Sequence, residues 1–229
     1  MRKLALLAAA SIAAMGISTA ASAQLADNGD GTYTITGAGT GGTAVINFDG
    51  NSGGAFIPGL TGQLSLTYTG LVGTDYGFSY ILNNTSSITS RISGFAFDVD
   101  PNASGGTASG LFSDVIVGGA FPNGVGDVDV CLNNNGESCQ GGGGTGVLNG
   151  DSGNGTFTLD FGASAPTSIT LSDFFVRYQS LQVGTGSGTG SQVPGVPEPA
   201  TWAMMLMGFG ATGVAMRRRR RKLAFAQFA

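Results

Sequence analysis

The sequence contains no histidine, and no lysine lies between Lys3 and Lys222. Hydrolytic triads need a side-chain base whose pKa lies near neutrality, so the region between these two lysines cannot hold a Ser-His-Asp, Cys-His or Ser-Lys arrangement. Zinc sites built on histidine are excluded because the sequence has no histidine. The chain has a single tryptophan, Trp202, so a tryptophan platform for sugar rings is not expected elsewhere.

Basic residues are almost absent from the middle of the chain. All fourteen acidic residues lie between Asp27 and Glu198, where the cations are Arg91 and Arg177, and that stretch carries a net charge of about -12. Such a charge repels phosphate backbones, so we do not expect nucleic acid as a partner.

Only two cysteines occur, Cys131 and Cys139. After export both would face an oxidising compartment, and the Asn-Asn-Asn-Gly run over 133–136 can supply the reversal between them, so we predict a disulfide. Loop-entropy reasoning gives such a small ring about 2 to 3 kcal/mol of stabilisation. A redox-active pair is disfavoured because the C-x-x-C spacing is missing.

The first 23 residues have the pattern of a signal peptide. Arg2 and Lys3 precede an apolar run over 4–17, and Ala21 and Ala23 give the small-x-small pattern that signal peptidase accepts, with cleavage before Gln24. The apolar run is shorter than the roughly 20 residues that a membrane-spanning helix needs. We therefore predict export and removal of residues 1–23 by signal peptidase.

The next 160 or so residues alternate between bulky apolar and polar side chains, which is typical of half-buried strands. The alternation is clearest over 44–48, 64–68, 78–82, 95–99, 157–161 and 174–178, and is less regular over 115–117 and 128–132. Glycine, asparagine and aspartate separate these segments and favour turns. We therefore predict an all-β domain over 24–183, a single β-sandwich or jelly-roll-like fold of about 8 to 10 short strands.

Residues 184–196 are rich in glycine, serine and threonine, with prolines toward the end. This composition is typical of a flexible linker, and thirteen such residues would span about 20 Å root-mean-square. We predict that the linker holds the domain clear of the membrane.

An acidic proline motif, an apolar stretch and a basic cluster follow the linker in that order. Pro197, Glu198 and Pro199 precede an uncharged stretch over 201–216, which predicts a C-terminal transmembrane helix of about 24 Å with Trp202 at one interface. The basic cluster consists of Arg217, Arg218, Arg219, Arg220, Arg221 and Lys222, and residues 223–229 form a short tail. Positive charge stays cytoplasmic, so the domain is expected on the periplasmic side of the inner membrane. A plain single-pass anchor is the alternative reading.

The segment 197–222 resembles the PEP-CTERM sorting domain of Gram-negative bacteria. The resemblance is carried by Pro197, Glu198, Pro199, Ala200, Thr201, Trp202, Ala203, Met204, Met205 and Leu206, then by Gly208, Phe209, Gly210, Gly213 and the basic cluster. It implies processing by exosortase, a membrane cysteine transpeptidase, near Pro197 to Pro199. The protein would then pass to the cell surface or the extracellular polysaccharide matrix. The seven-residue tail is longer than the family pattern.

The domain itself resembles small PEP-CTERM proteins called the cistern family. Residues 78–86, 91–98 and 171–180 carry this resemblance. It implies no activity.

Three features of the domain suggest other chemistry. Asp98 with Asp100, or Asp127 with Asp129, could form the acid pair of a glycoside hydrolase, although capping of turns explains the same residues. Residues 27–31 superficially match a calcium loop but lack the EF-hand spacing. The tyrosines Tyr33, Tyr76 and Tyr178 could contact sugars, although packing in the core or at its rim explains them better.

The sequence therefore predicts an exported, non-enzymatic protein with a structural or adhesive role at the cell surface or in the exopolysaccharide matrix. Its expected partners are signal peptidase, exosortase, the membrane and exopolysaccharide, and no cofactor or metal is expected. A calcium- or glycan-binding module is the alternative, and an acid-pair glycoside hydrolase is a remote one.

Overall fold

The computed structural model describes residues 25–36, 39–136, 138–140 and 144–193, with the single residues 207 and 209. Within these residues thirteen β-strands follow one another. In chain order they are β1 Leu25–Asp27, β2 Tyr33–Thr36, β3 Thr43–Ser52, β4 Ala55–Val72, β5 Asp75–Asn83, β6 Arg91–Asp100, β7 Gly105–Gly110, β8 Asp114–Phe121, β9 Gly126–Asn133, β10 Val147–Leu148, β11 Ser152–Asp160, β12 Ser168–Gln179 and β13 Ser187–Ser191. The all-β prediction is confirmed.

The thirteen strands form one antiparallel sheet. Its path runs β7-β11-β5-β4-β3-β13-β12-β6-β9-β8, with β2 beside β12, β1 beside β2 and β10 beside β6. The two ends of the path approach each other. Gly106 of β7 lies so near β8 that a Cβ atom added to it would be 2.9 Å from Cγ1 of Val115. The sheet is therefore a nearly closed, barrel-like wall. This arrangement corrects the prediction of a sandwich or jelly roll of 8 to 10 strands, because alternation identifies strands but not their partners.

One face of the sheet packs into an aromatic core. All six segments in which the sequence shows clear alternation contribute buried side chains to this core, which confirms their predicted alternation. Phe157 lies near the centre, with its ring stacked on Phe78 at 4.9 Å between centroids and 5.9 Å from the ring of Phe97. Offset and edge contacts of this kind add about 0.5–1.5 kcal/mol per pair to the burial of apolar area.

A smaller apolar cluster lies on the other face of β6. Ala96 packs there with Phe121, Val128 and the bonded pair Cys131 and Cys139, whose Cα atoms are 5.7 Å apart. The predicted disulfide is thus confirmed. Strand β6 is buried on both faces, because Phe95 and Phe97 point into the aromatic core while Ala96 points into the smaller cluster.

Strand β13 occupies part of the range that we predicted as a flexible linker. It pairs with β12 from Ser187 to Ser191 and meets β3 at Thr189, which is 2% exposed. Its glycines allow close approach: a Cβ atom on Gly188 would lie 2.3 Å from the Asn51 carbonyl oxygen. The prediction of a linker over 184–196 is therefore wrong for residues 187–191. Glycine carries no side chain whose alternation would reveal a strand.

A buried polar side chain joins the connection between β5 and β6 to strand β10 at one end of the sheet. The Asn84 Nδ2 atom donates to Ser90 Oγ at 3.1 Å and to the Val147 carbonyl at 3.0 Å. Its Oδ1 atom accepts from the Ser86 N–H at 3.3 Å. Asn84 is 1% exposed, so these bonds replace all contact with water.

We expect Asn84→Ala to lower the free energy of unfolding by about 2 to 4 kcal/mol, because it leaves several buried polar groups without partners. Urea unfolding of the purified protein measures this change. Asn83→Ala is the matched control, since Asn83 is half-buried on the outer face of β5, and it should change stability by less than about 0.5 kcal/mol. Equal effects of the two substitutions would contradict the role of the Asn84 side chain.

Candidate functional site

Most residues of the two predicted targeting segments, the N-terminal signal peptide and the C-terminal sorting signal, lie outside the described part of the chain. These are the signal cleavage residues Ala21, Ala23 and Gln24, the motif residues Pro197, Glu198, Pro199 and Trp202, and the basic cluster Arg217, Arg218, Arg219, Arg220, Arg221 and Lys222. The predicted transmembrane helix over 201–216 also lies outside it, apart from Met207 and Phe209. Among the described residues, none forms a helix with the length and apolar character needed to cross a bilayer.

The structure does show the part of the sheet that precedes this signal in the chain. Strand β13 is followed by Gln192, whose N–H donates to the Phe174 carbonyl at 3.1 Å, and by Val193, whose N–H donates to the Asn47 carbonyl at 2.8 Å. The Gln192 side chain donates to Tyr33 Oη at 3.3 Å. Hydrogen bonding to the sheet therefore continues to residue 193.

The acidic residues that we considered as catalytic pairs form a different pair in the structure. Asp98 of β6 and Asp129 of β9 lie across neighbouring strands, next to the paired residues Phe97 and Val130. Asp98 Oδ1 accepts from the Asp129 N–H at 3.0 Å, and Asp129 Oδ2 accepts from the Val99 N–H at 3.0 Å. These reciprocal bonds satisfy two backbone N–H groups at the point where the two strands separate. Both carboxylates therefore have a structural role.

The two carboxylates differ in their environments. Burial raises the pKa of Asp98 above its usual 3.8, and the charges of Asp129 and Asp173 add to this rise, while the Asp129 N–H opposes it. Asp129 also accepts from Asn102 Nδ2 at 3.0 Å, so both of its oxygens are hydrogen-bonded. The charge on Asp98 therefore costs stability, whereas the two acceptors on Asp129 contribute to it.

We expect Asp98→Asn to leave stability at pH 7 unchanged or raised, because the amide oxygen still accepts from the Asp129 N–H. The wild-type protein should gain stability relative to this variant as pH falls through the raised pKa toward 3.8, where the folded state binds the proton more tightly. Asp129→Asn, the matched comparison, keeps only one acceptor and should cost about 1 to 2 kcal/mol. Urea unfolding between pH 7 and pH 4 tests both. A larger loss for Asp98→Asn than for Asp129→Asn would contradict this assignment.

The loop that superficially matched a calcium site is a pair of turns between β1 and β2. Asp27 Oδ1 accepts from the Gly29 N–H at 2.8 Å, and Asp30 Oδ1 accepts from the Thr32 N–H at 3.0 Å and from Thr32 Oγ1 at 2.7 Å. Hydrogen bonds from Thr32 lower the pKa of Asp30. In the part of the chain that the structure describes, no three acidic or cysteine side chains are grouped to hold a metal ion.

Five neighbouring strands each place one hydroxyl side chain on the outer face of the sheet, and these side chains form a row that crosses the strands. Cross-strand pairing aligns Thr43 of β3, Thr67 of β4, Ser79 of β5, Thr156 of β11 and Ser109 of β7. A parallel row pairs Thr158 of β11 with Thr107 of β7, beside Gly77 of β5. We call these two rows the hydroxyl face. At about 4.8 Å per strand it is about 19 Å wide.

Two shallow depressions lie on the hydroxyl face. One, of about 350 Å³, is lined by side chains that include Thr43, Ser65 and Thr67. The other, of about 170 Å³, lies beside it and is lined by residues that include Thr107 and Thr158. None of the residues that line the two depressions is charged. Composition alone did not single out this face, although threonine and serine recur at the polar positions of the predicted strands.

The tyrosines that we considered for sugar contact belong to the core. Tyr33, Tyr76 and Tyr178 are 4%, 0% and 0% exposed. Their packing agrees with the reading that the sequence favoured, and their rings are not accessible for stacking on a sugar. Any sugar contact on the hydroxyl face would therefore depend on hydrogen bonds.

Comparison with known proteins identifies one segment of the chain. Residues 195–221 match the family model of the PEP-CTERM protein-sorting motif. No curated protein matches the chain. The match includes Pro197, Glu198, Pro199 and Trp202 and five of the six cations, so the predicted resemblance of this segment is confirmed. The chain therefore carries a PEP-CTERM sorting motif, the signal of exported proteins that exosortase processes.

Proposed function

We propose that this protein is a structural or adhesive component of the cell surface or its polysaccharide matrix. The sorting motif at residues 195–221 supports export and delivery by exosortase. The disulfide between Cys131 and Cys139 suits an oxidising compartment outside the cytoplasm. The domain would then present a binding surface outside the cell, and we expect no catalytic turnover.

The hydroxyl face is the observation that carries the adhesive role. Each hydroxyl group can donate and accept a hydrogen bond, as sugar hydroxyls do. Val45 and Ile81 lie one row away and are each 50% exposed, so the neighbouring surface offers apolar contact as well. The strongly acidic domain would repel acidic polysaccharides. We therefore propose that the hydroxyl face binds a neutral polysaccharide.

We expect the purified protein to be retained by an immobilised neutral glucan and not by an immobilised polyuronate. Thr67→Val with Thr156→Val keeps the side-chain shape but removes two hydroxyl groups from the centre of the face, and should weaken retention about tenfold. Affinity chromatography at fixed salt measures this change.

The matched control is Thr36→Val with Thr170→Val, which makes the same change on β2 and β12 and should leave retention unchanged. Equal retention of both double variants would contradict the proposed face. Retention that requires calcium and is lost with a chelator would support the calcium-binding alternative instead.

A further inference from the structure

The distance between the folded domain and its sorting motif is limited by the chain itself. The Val193 N–H is bonded to the Asn47 carbonyl, and the matched motif begins at residue 195. Pro197 is four residues beyond Val193, so the two Cα atoms can be at most about 14 Å apart in any conformation. The thirteen-residue linker that the composition predicts is thus not available as a spacer.

This limit is shorter than the domain is wide. A folded domain of this length has a radius of gyration of about 15 Å, and its physical radius is larger. An enzyme that holds Pro197 in its active site must therefore bring that site to within about 14 Å of Val193. Proximity of this kind is enforced by covalent geometry and needs no affinity of its own.

The surface next to Val193 is a shallow acidic depression of about 250 Å³. We call it the exit surface, and its polar lining includes Asp30, Thr32, Asp173, Ser191 and Gln192. Both carboxylates are on exposed residues. Asp173 lies at a bulge of β12 with φ of 48°. None of the residues that line the exit surface is basic.

We propose that the exit surface docks onto the membrane enzyme that processes the sorting motif, with basic side chains of that enzyme facing Asp30 and Asp173. The proposal rests on the sorting function above and adds a second contact to it, outside the motif. The occupant is the enzyme rather than the lipid surface, because the enzyme must hold the motif during cleavage and because anionic headgroups would repel the two carboxylates.

Processing of the full-length protein in cells that contain the enzyme tests the proposal. In Asp30→Asn with Asp173→Asn, the amide oxygen keeps the acceptor for Thr32, and asparagine tolerates the positive φ at residue 173. We expect at least about threefold slower conversion of precursor to processed protein in a pulse-chase experiment, because rim charges mainly change the rate of encounter. Asp127→Asn with Asp151→Asn makes the same charge change elsewhere and should convert at the wild-type rate.

A second arm lengthens the chain between Val193 and Pro194 by twelve glycine and serine residues. The longer chain no longer forces the enzyme to lie near the exit surface, so the difference between Asp30→Asn with Asp173→Asn and its control should shrink. Equal conversion of the two double variants at the native length would overturn the docking surface. If Pro197→Ala with Glu198→Ala is also converted at the wild-type rate, the proposed sorting function is wrong. If that variant is blocked while the two charge variants are converted equally, only the docking proposal is wrong.

Discussion

Gly190→Ala is expected to destabilise the folded domain by about 3 kcal/mol or more. The new Cβ atom would lie 2.5 Å from the Asp49 carbonyl oxygen, 2.7 Å from Cγ2 of Val176 and 2.8 Å from Cε2 of Tyr178. The first of these atoms belongs to the backbone of β3 and cannot rotate away. Strand β13 would have to move out from between β3 and β12, and the sheet would lose pairing on both sides. Urea unfolding and the yield of soluble protein measure the effect.

Gly105→Ala provides the matched control. Gly105 lies in β7, its Cβ atom would meet nothing within 4 Å, and its φ lies outside the range that favours glycine. We expect a change of less than about 0.5 kcal/mol. An unchanged unfolding midpoint for Gly190→Ala would mean that residues 187–191 are a linker after all.

Pro197→Ala with Glu198→Ala is expected to hold nearly all of the protein in the inner membrane at full length. The proline before and the proline after Glu198 cannot continue a helix backward from the apolar stretch, so they favour an extended chain that a processing enzyme can bind. The double variant removes the first proline and the charge of the motif. Membrane fractionation followed by immunoblotting measures the ratio of full-length to released protein.

Pro194→Ala is the control for this experiment, because Pro194 lies just before the matched residues 195–221. It should be released as the wild type is. Normal release of the Pro197→Ala, Glu198→Ala protein would contradict the sorting role of the motif. Retention of the wild type at full length would indicate a plain membrane anchor.

The sequence predicted the strands that bury large side chains every second residue. Phe174, Val176 and Tyr178 all point into the core as predicted, because the period of a strand is fixed by its backbone. Strands β7 and β13 escaped prediction because glycine and small polar residues show no apolar alternation. Their glycines permit close approach of neighbouring backbones, which depends on partners far away in the sequence.

The sorting motif could be predicted because its residues are contiguous and occur in a fixed order. The exit surface could not, since Asp30 and Asp173 come together only through the pairing of β2, β12 and β13. The pairing of Asp98 with Asp129 was likewise hidden, because the sequence shows which acids share a strand and not which strands are neighbours.

The position of β13 also has a consequence for the timing of folding. This strand is the last of the thirteen to be synthesised, yet it lies between β3 and β12 in the middle of the sheet path. Until residues 187–191 have been synthesised, β3 lacks a partner strand on that side, and β12 can pair there only with β2, over Ser168–Leu171. The earlier strands alone therefore cannot complete the wall, and its closure depends on pairing between segments that lie far apart in the sequence.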